Sequence, residues 1–232
     1  MAPLETIAPP EAVREMFDRI APEYDRFNTL ASFGLHHSWR QTLVRRIPAG
    51  ARVLDIATGT GDVAFMARTH AHDVVGLDFS ERMISRARDK DKQGSILWVA
   101  GSADALPFTD GSFGCVTSAF ALRNLRSCLD AVFHETFRVL ESGGRVLHLD
   151  FGRPQFPLMR WGHRLHMAYG VPLIGHALCG NRWPKRYLEN TIAQFLEPAD
   201  VEDHLESAGF VNVGHEPLFG GVVQLYKGTK AC

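Results

Sequence analysis

The chain's 232 residues are 45% hydrophobic and 22% charged with a formal net charge of −1, an ordinary globular composition with enough apolar residues for one large domain. That charge gives no general pull toward nucleic acid or an anionic membrane, and no apolar run approaches the roughly 18 residues of a membrane span. Cys115, Cys128, Cys179 and Cys232 show no CxxC pairing, so neither a disulfide framework nor a zinc site is suggested. "MAPLETIAPPEAVREMF" lacks the apolar core of a secretion signal and the Arg/Ser richness of a transit peptide. The expectation is a cytoplasmic protein, at most peripheral to a membrane.

Residues 9–47 read as helical and lead into the first strand, "ARVLDIA". "GDVAFMARTH" is a helix opening at Gly61–Asp62, and "DVVGLDF" a second strand ending at Asp78. "SERMISRARDK" is a helix with Ser80 as N-cap and Met83, Ile84 and Ala87 inward. "SILWVAGSAD" is a third strand running into a loop at Ser102–Asp104, and "FGCVTSAFAL" a fourth. "CLDAVFHETFRVL" is helical, "ESGGRVLHLDFG" turns through Gly143–Gly144 into a fifth strand, and "AGFVNVGHEPLFGGVVQLYKG" supplies a closing antiparallel pair. The pattern predicts an α/β fold, a doubly wound Rossmann-like sheet of seven strands, mostly parallel with the last antiparallel. Residues 1–50 form a helical N-terminal segment, and 153–197 a lid insertion within a domain spanning 51–232. Ligands sit off the carboxyl ends of such strands, so both segments are placed to cover that edge.

"VLDIATGTGDVAFMAR" holds the pivotal loop. From Gly59 it satisfies the dinucleotide fingerprint GxGxxG/A; from Asp55 it is an acid leading into a glycine turn. A pyrophosphate needs bare amide donors at the helix start, and Asp55 with Asp62 repels it. Two unit charges ~5 Å apart cost on the order of 3 kcal/mol at an effective dielectric of 20. The sulfonium and ammonium of S-adenosyl-L-methionine reverse that sign. Gly59, Thr60 and Gly61 then approach its methionine portion, and Asp78, followed by Phe79, takes the ribose diol. Asp104 accepts from the adenine amine, with Ser102 and Ala103 lining the pocket. Acids at three successive strand ends select a cationic alkyl donor over a nicotinamide nucleotide.

With these residues in hand, the chain resembles the ubiquinone/menaquinone biosynthesis C-methyltransferase family from about Val13 to Gly228. "FDRIAPEYDRFNTLASFGLHHSWR" looks like its N-terminal signature, "LDIATGTGD" its cofactor loop, and "ADALPFTDGSFGCVTSAFALRNL" its second signature, ending in Arg123–Asn124. The chain departs from it at Lys185, Phe219 and Ala119, the last replacing a serine near the cofactor. The resemblance implies methylation of a ring carbon in a prenylated quinol, demethylmenaquinol or a 2-methoxy-benzoquinol precursor of ubiquinone; another phenolic or lipid acceptor is the alternative. A non-catalytic scaffold ranks below both, because the cofactor acids and Arg123–Asn124 are all present.

Arg123, at a strand's carboxyl end, is the candidate for stabilising a phenolate, with Asn124 holding the hydroxyl or a water. Tyr24, Asn28 and His36 are substrate-side candidates, and His36 and Tyr24 serve either as base and contacts or as lid packing. His148 reads as a satisfied core histidine and Asp150 as a weaker site residue. His163, His166 and His176 lack metal-like partners, so no metal is expected. Residues 153–180 interleave apolar and arginine side chains, the pattern of a membrane-surface element or of an ordinary lid helix over a greasy acceptor channel, the latter preferred. A homodimer is left open.

Overall fold

The computed structural model describes residues 10–71, 73–184, 191 and 196–231. Seven strands form one sheet: β1 (Arg52–Ile56), β2 (Asp73–Asp78), β3 (Leu97–Ala100), β4 (Phe113–Ala119), β5 (Leu140–Phe151), β6 (Phe210–Leu218) and β7 (Val223–Lys230), in the order 3-2-1-4-5-7-6. β1 to β5 pair in parallel, and only β7 runs against its neighbours β5 and β6. β1 reads Val-Leu-Asp-Ile without polar alternation because helices bury both faces of a parallel sheet.

One face packs against α6 (Leu129–Val139) and α9 (Pro198–Ser207), through Val132, Phe133, Val201 and Leu205 onto Leu54, Val116 and Val146. The other packs against α3 (Leu35–Val44), α4 (Asp62–Ala67) and α5 (Glu81–Lys90), through Leu43, Ala64 and Ile84. Ser80 caps α5 as its sequence predicts, its Oγ accepting the Met83 N–H at 3.1 Å. β5 begins at Leu140, earlier than the Gly143–Gly144 turn suggests, because Leu140 pairs with Phe113 before a register shift moves the ladder on to Cys115–Arg145.

A third cluster sits above the strand carboxyl ends. α1 (Pro10–Ile20) and α2 (Tyr24–Ala31) contribute Ile20 and Phe27; α7 (Pro157–Leu165), a π-turn (His166–Gly170) and α8 (Val171–Cys179) contribute Met167, Val171 and Cys179, and Trp183 closes the cluster. The segments before β1 and after β5 therefore meet over the sheet edge. Residues 1–9, Lys185, Tyr187, Leu188 and Cys232 lie outside the described residues.

Candidate active site

Two cavities open along this edge, sharing the rings of Phe17, Tyr24 and Phe120 as a common wall. The first is lined by Gly59, Asp78, Phe79, Ser102, Ala103, Asp104, Ala119 and Asn124, with no Arg or Lys among the described residues on its wall. Eight residues expected at the cofactor or catalytic site thus converge here. Asp78 is tied down by its neighbours, accepting from the Gly59 N–H at 2.8 Å and the Ser80 N–H at 2.9 Å. Burial pushes its carboxyl up to about 6, against those two backbone donors. Asp104 is exposed at the rim and accepts from Ser102 Oγ. Small residues at Gly59, Gly101, Ala103 and Ala119 leave room between the acids, a donor set that fits a cationic nucleoside.

Four members of the glycine loop are placed elsewhere. Asp55 is 1% exposed and lies beneath the loop rather than on a cavity wall, accepting from Thr58 Oγ1 at 2.5 Å and Thr117 Oγ1 at 2.8 Å. Desolvation pushes its carboxyl up to about 7, against the hydrogen bonds from Thr58 and Thr117. Thr60 is buried and donates to Asp25 Oδ1 at 2.5 Å, tying α2 to the loop. Gly61 holds φ +89° at the start of α4, where an added Cβ meets Trp98 at 2.4 Å, so this glycine shapes the turn. Burial raises Asp62's carboxyl, yet Arg40 and Lys90 hold it below the usual carboxylate range, so its charge is spent within the protein. Of these acids, Asp78 and Asp104 line the first cavity, while Asp55 and Asp62 are held within the protein by their own partners.

The second cavity, of about 940 Å³, has the reverse chemistry. It is lined mainly by aromatic and aliphatic side chains, with Arg40 and Arg123 and no Asp or Glu among the described residues. Arg123 is buried at 8% exposure, its Nη1 donating to Asp150 Oδ1 at 2.9 Å and to the Phe120 carbonyl at 2.6 Å. Asp150 also accepts the Arg123 N–H at 3.1 Å, and the guanidinium lies 5.1 Å from the Phe151 ring centroid. Two N–H donors on lining residues, Arg123 Nε and Trp183 Nε1, have no partner among the described residues, and the Asn28 amide lies beside the Tyr24 phenol, to which it offers a hydrogen bond. A buried donor left unpaired costs about 1–3 kcal/mol, so these two positions call for an acceptor oxygen, of a water or of a ligand. Trp183 carried no motif in the sequence and reaches the cavity through the packing of the third cluster, whereas Arg40, the last residue of the N-terminal signature, arrives on α3.

Tyr24 stands on the shared wall, and burial raises its phenol above the usual range, keeping it a donor. His36 lines the acceptor cavity, where burial and then the Arg40 charge lower its imidazole to about 4. It is neutral at pH 7 and a weaker base than a typical histidine, with Thr29 Oγ1 at 3.3 Å and Arg40 Nη1 as partners. His148 is fully buried against Phe133, but neither ring nitrogen has a partner among the described residues, so it is a core histidine without the expected satisfaction. Asp150 proves to be the Arg123 anchor. The described residues contain no group of three or more His, Cys, Asp or Glu able to hold a metal ion.

A doubly wound sheet in this strand order, with an acid-lined cavity beside a donor-lined one at its carboxyl edge, defines a methyltransferase of the Rossmann-like type. The chain belongs to the ubiE/COQ5 methyltransferase family, which it matches over residues 6–230. It is 33% identical to the demethylmenaquinone methyltransferase of Protochlamydia amoebophila, with 95% of this chain and 96% of that one covered. The ubiquinone/menaquinone biosynthesis C-methyltransferase UbiE of Geotalea uraniireducens is 35% identical over 95% of this chain and 97% of its own length. The demethylmenaquinone methyltransferase of Clavibacter sepedonicus is 38% identical, covering 95% and 91%. Among solved structures, the fold is similar to a SAM-dependent methyltransferase from Thermotoga maritima, with a TM-score of 0.65 at 19% identity over 93% of this chain and 98% of that one. Phosphoethanolamine N-methyltransferase 2 of Haemonchus contortus, solved with S-adenosyl-L-methionine, gives 0.59 at 16% identity over 83% and 52%.

Proposed function

We propose that this methyltransferase moves a methyl group from S-adenosyl-L-methionine to a ring carbon of a prenylated quinol of the demethylmenaquinol or 2-methoxy-benzoquinol type. The observation that supports the acceptor is an aromatic cavity with the buried Arg123 guanidinium and the unpartnered Trp183 Nε1 on its wall and no carboxylate among the described lining residues. When bound, S-adenosyl-L-methionine supplies an electrophilic methyl on a positively charged sulfur. Asp78 and Asp104 hold the ribose and adenine of that donor, and Gly59, Phe79, Ser102, Ala103 and Ala119 shape the walls. Asp55, Thr60 and Gly61 act one step removed, by fixing the loop.

On the acceptor side, the Arg123 cation and the Trp183 N–H favour the ionised form of a quinol hydroxyl. The neighbouring ring carbon then carries the nucleophilic density and takes the methyl as the sulfur–methyl bond breaks, the electron pair staying on sulfur in the departing neutral thioether; the ring hydrogen then leaves as a proton, passed to solvent. Because Arg123 already favours the phenolate, no strong base is required of His36. Tyr24 and Asn124, on the wall and just beyond it, align the two reactants. The helices before β1 and the segment after β5 act as covers that keep water from the reacting atoms.

The test is mass spectrometry of quinones in cells lacking the protein, paired with purified enzyme, S-adenosyl-L-methionine and the demethylated quinol. Accumulation of a quinone lighter by one methylene, and its methylation in vitro, is the expected result. An unchanged quinone pool with turnover of another phenol overturns the quinol reading.

A further inference from the structure

The helix that roofs the acceptor cavity is apolar on both sides. Inward, Met167, Val171 and Cys179 pack with Ile20, Phe27 and Trp183. Outward, Leu158, Trp161, Leu165, Tyr169 and Leu173 follow one another in steps of three and four along α7, the π-turn and α8. Leu158 is 81% exposed, Trp161 63%, Tyr169 72% and Leu173 72%. This stripe is one face of a helix, laid open to solvent. Phe33, 77% exposed at the turn between α2 and α3, extends the patch: its ring lies 5.1 Å from that of His166, whose Nε2 meets the Ala31 carbonyl at 2.7 Å. Ala31 and His166 also line the acceptor cavity, so the patch and the cavity rim are continuous. Apolar surface so gathered marks an interaction site rather than scattered exposure.

The charge around it is one-sided. No Asp or Glu occurs between Asp150 and Glu189, whereas Arg153, Arg160, Arg164 and Arg182 do. Arg153 pairs with Glu197, but Arg160 and Arg164, on either side of Trp161, have no acidic partner among the described residues. Aromatic and leucine side chains in one plane with flanking arginines match an acidic lipid surface: the rings sink to the headgroup level and the guanidinium groups stay among phosphates.

We propose that this face rests on an anionic lipid bilayer and sets the rim of the acceptor cavity against it. The inference rests on the quinol reading for its purpose, because a prenylated acceptor resides in the hydrocarbon of a bilayer. The local patch overrides the near-neutral total charge, and the lid helix serves as roof and foot together.

The test is co-sedimentation of the full chain with vesicles of phosphatidylcholine alone and of phosphatidylcholine with phosphatidylglycerol. Binding to the acidic vesicles and weak binding to the neutral ones is expected. Trp161→Ser with Leu173→Ser should cut acidic-vesicle binding by at least about tenfold, and Arg164→Glu by at least about fivefold. Phe33→Ser, on a separate element, should weaken it too. All these side chains face outward, so thermal melting and turnover of a short-chain, water-soluble quinol should match the unaltered protein, while turnover of a long-chain quinol in acidic vesicles falls. No sedimentation with acidic vesicles, or equal sedimentation with both kinds, overturns the proposal. So does a dimer in solution that Trp161→Ser with Leu173→Ser converts to monomer while vesicle binding is absent, since a second copy then covers the face. Failure of the quinol reading looks different: vesicle binding persists and no quinol is methylated.

Discussion

The two cavities differ in nearly every respect except location. Among the described residues, one presents Asp78 and Asp104 without a basic residue; the other presents Arg40 and Arg123, each anchored by an acid behind it, and no acid on its lining, yet they share a wall of three rings. A single short segment divides them. Ala119, Ala121 and Asn124 face the acidic side, Arg123 faces the basic side, and Phe120 touches both. Phe120 achieves this at φ +62°, a left-handed conformation that a bulky residue adopts only when its surroundings compel it. The lesson is that opposite electrostatics can be built a few ångströms apart from consecutive residues, provided the backbone turns sharply between them.

That division can be broken most directly at Arg123. Arg123→Lys keeps a cation beside Asp150 but loses the planar fork, and single-turnover methylation should slow by roughly 100-fold. Affinity for S-adenosyl-L-methionine, measured by calorimetry, should stay within about twofold; a large loss there would dissolve the distinction between the chambers. On the acidic side, Asp78→Asn should weaken cofactor affinity by about 10- to 100-fold with the acceptor KM unchanged. Affinity in the unaltered protein should also decline as pH falls through about 6, where the Asp78 carboxylate takes up its proton, and Asp78→Asn should flatten that profile.

His148 tests the region beneath both chambers. Its imidazole is lowered to about 3 by burial alone, so in acid the unfolded chain binds a proton that the native state refuses, and stability declines as pH drops below the ordinary histidine value. His148→Leu should leave turnover unchanged and raise stability in urea unfolding, by about 2 kcal/mol more at pH 5 than at pH 8. The smallest effect is expected at Asp55. Asp55→Asn retains two hydroxyl partners and should shift cofactor affinity by no more than about threefold; a loss equal to that of Asp78→Asn would return Asp55 to the cavity wall.

The sequence made the strand–helix alternation legible, because β-branched runs, glycine turns and the Ser80 cap act locally. It also made the chemical class of the cofactor chamber legible, since Asp78, Ser102 and Asp104 follow strand ends whose position the pattern reveals. The direction in which Asp55 points was not legible. Both faces of β1 are buried, so the alternation Val53, Leu54, Asp55, Ile56 carries no mark of inside and outside. Arg123's partner was equally hidden: Asp150 lies 27 positions away, and the parallel register of β4 on β5, Ala119 opposite Leu149, is what brings them together. Trp183 was harder still, because its unpaired donor reaches the cavity only once the segment after β5 has docked on α2.

The three-ring partition carries a consequence for assembly. Phe17 and Tyr24 belong to the earliest helices, while the surfaces they close on, from the second strand to Trp183, come later in the chain. During synthesis those helices must wait with their apolar sides unburied until the downstream elements exist. Such distant pairings slow folding, so the compartment boundary should be among the last features to set, after the sheet itself is complete.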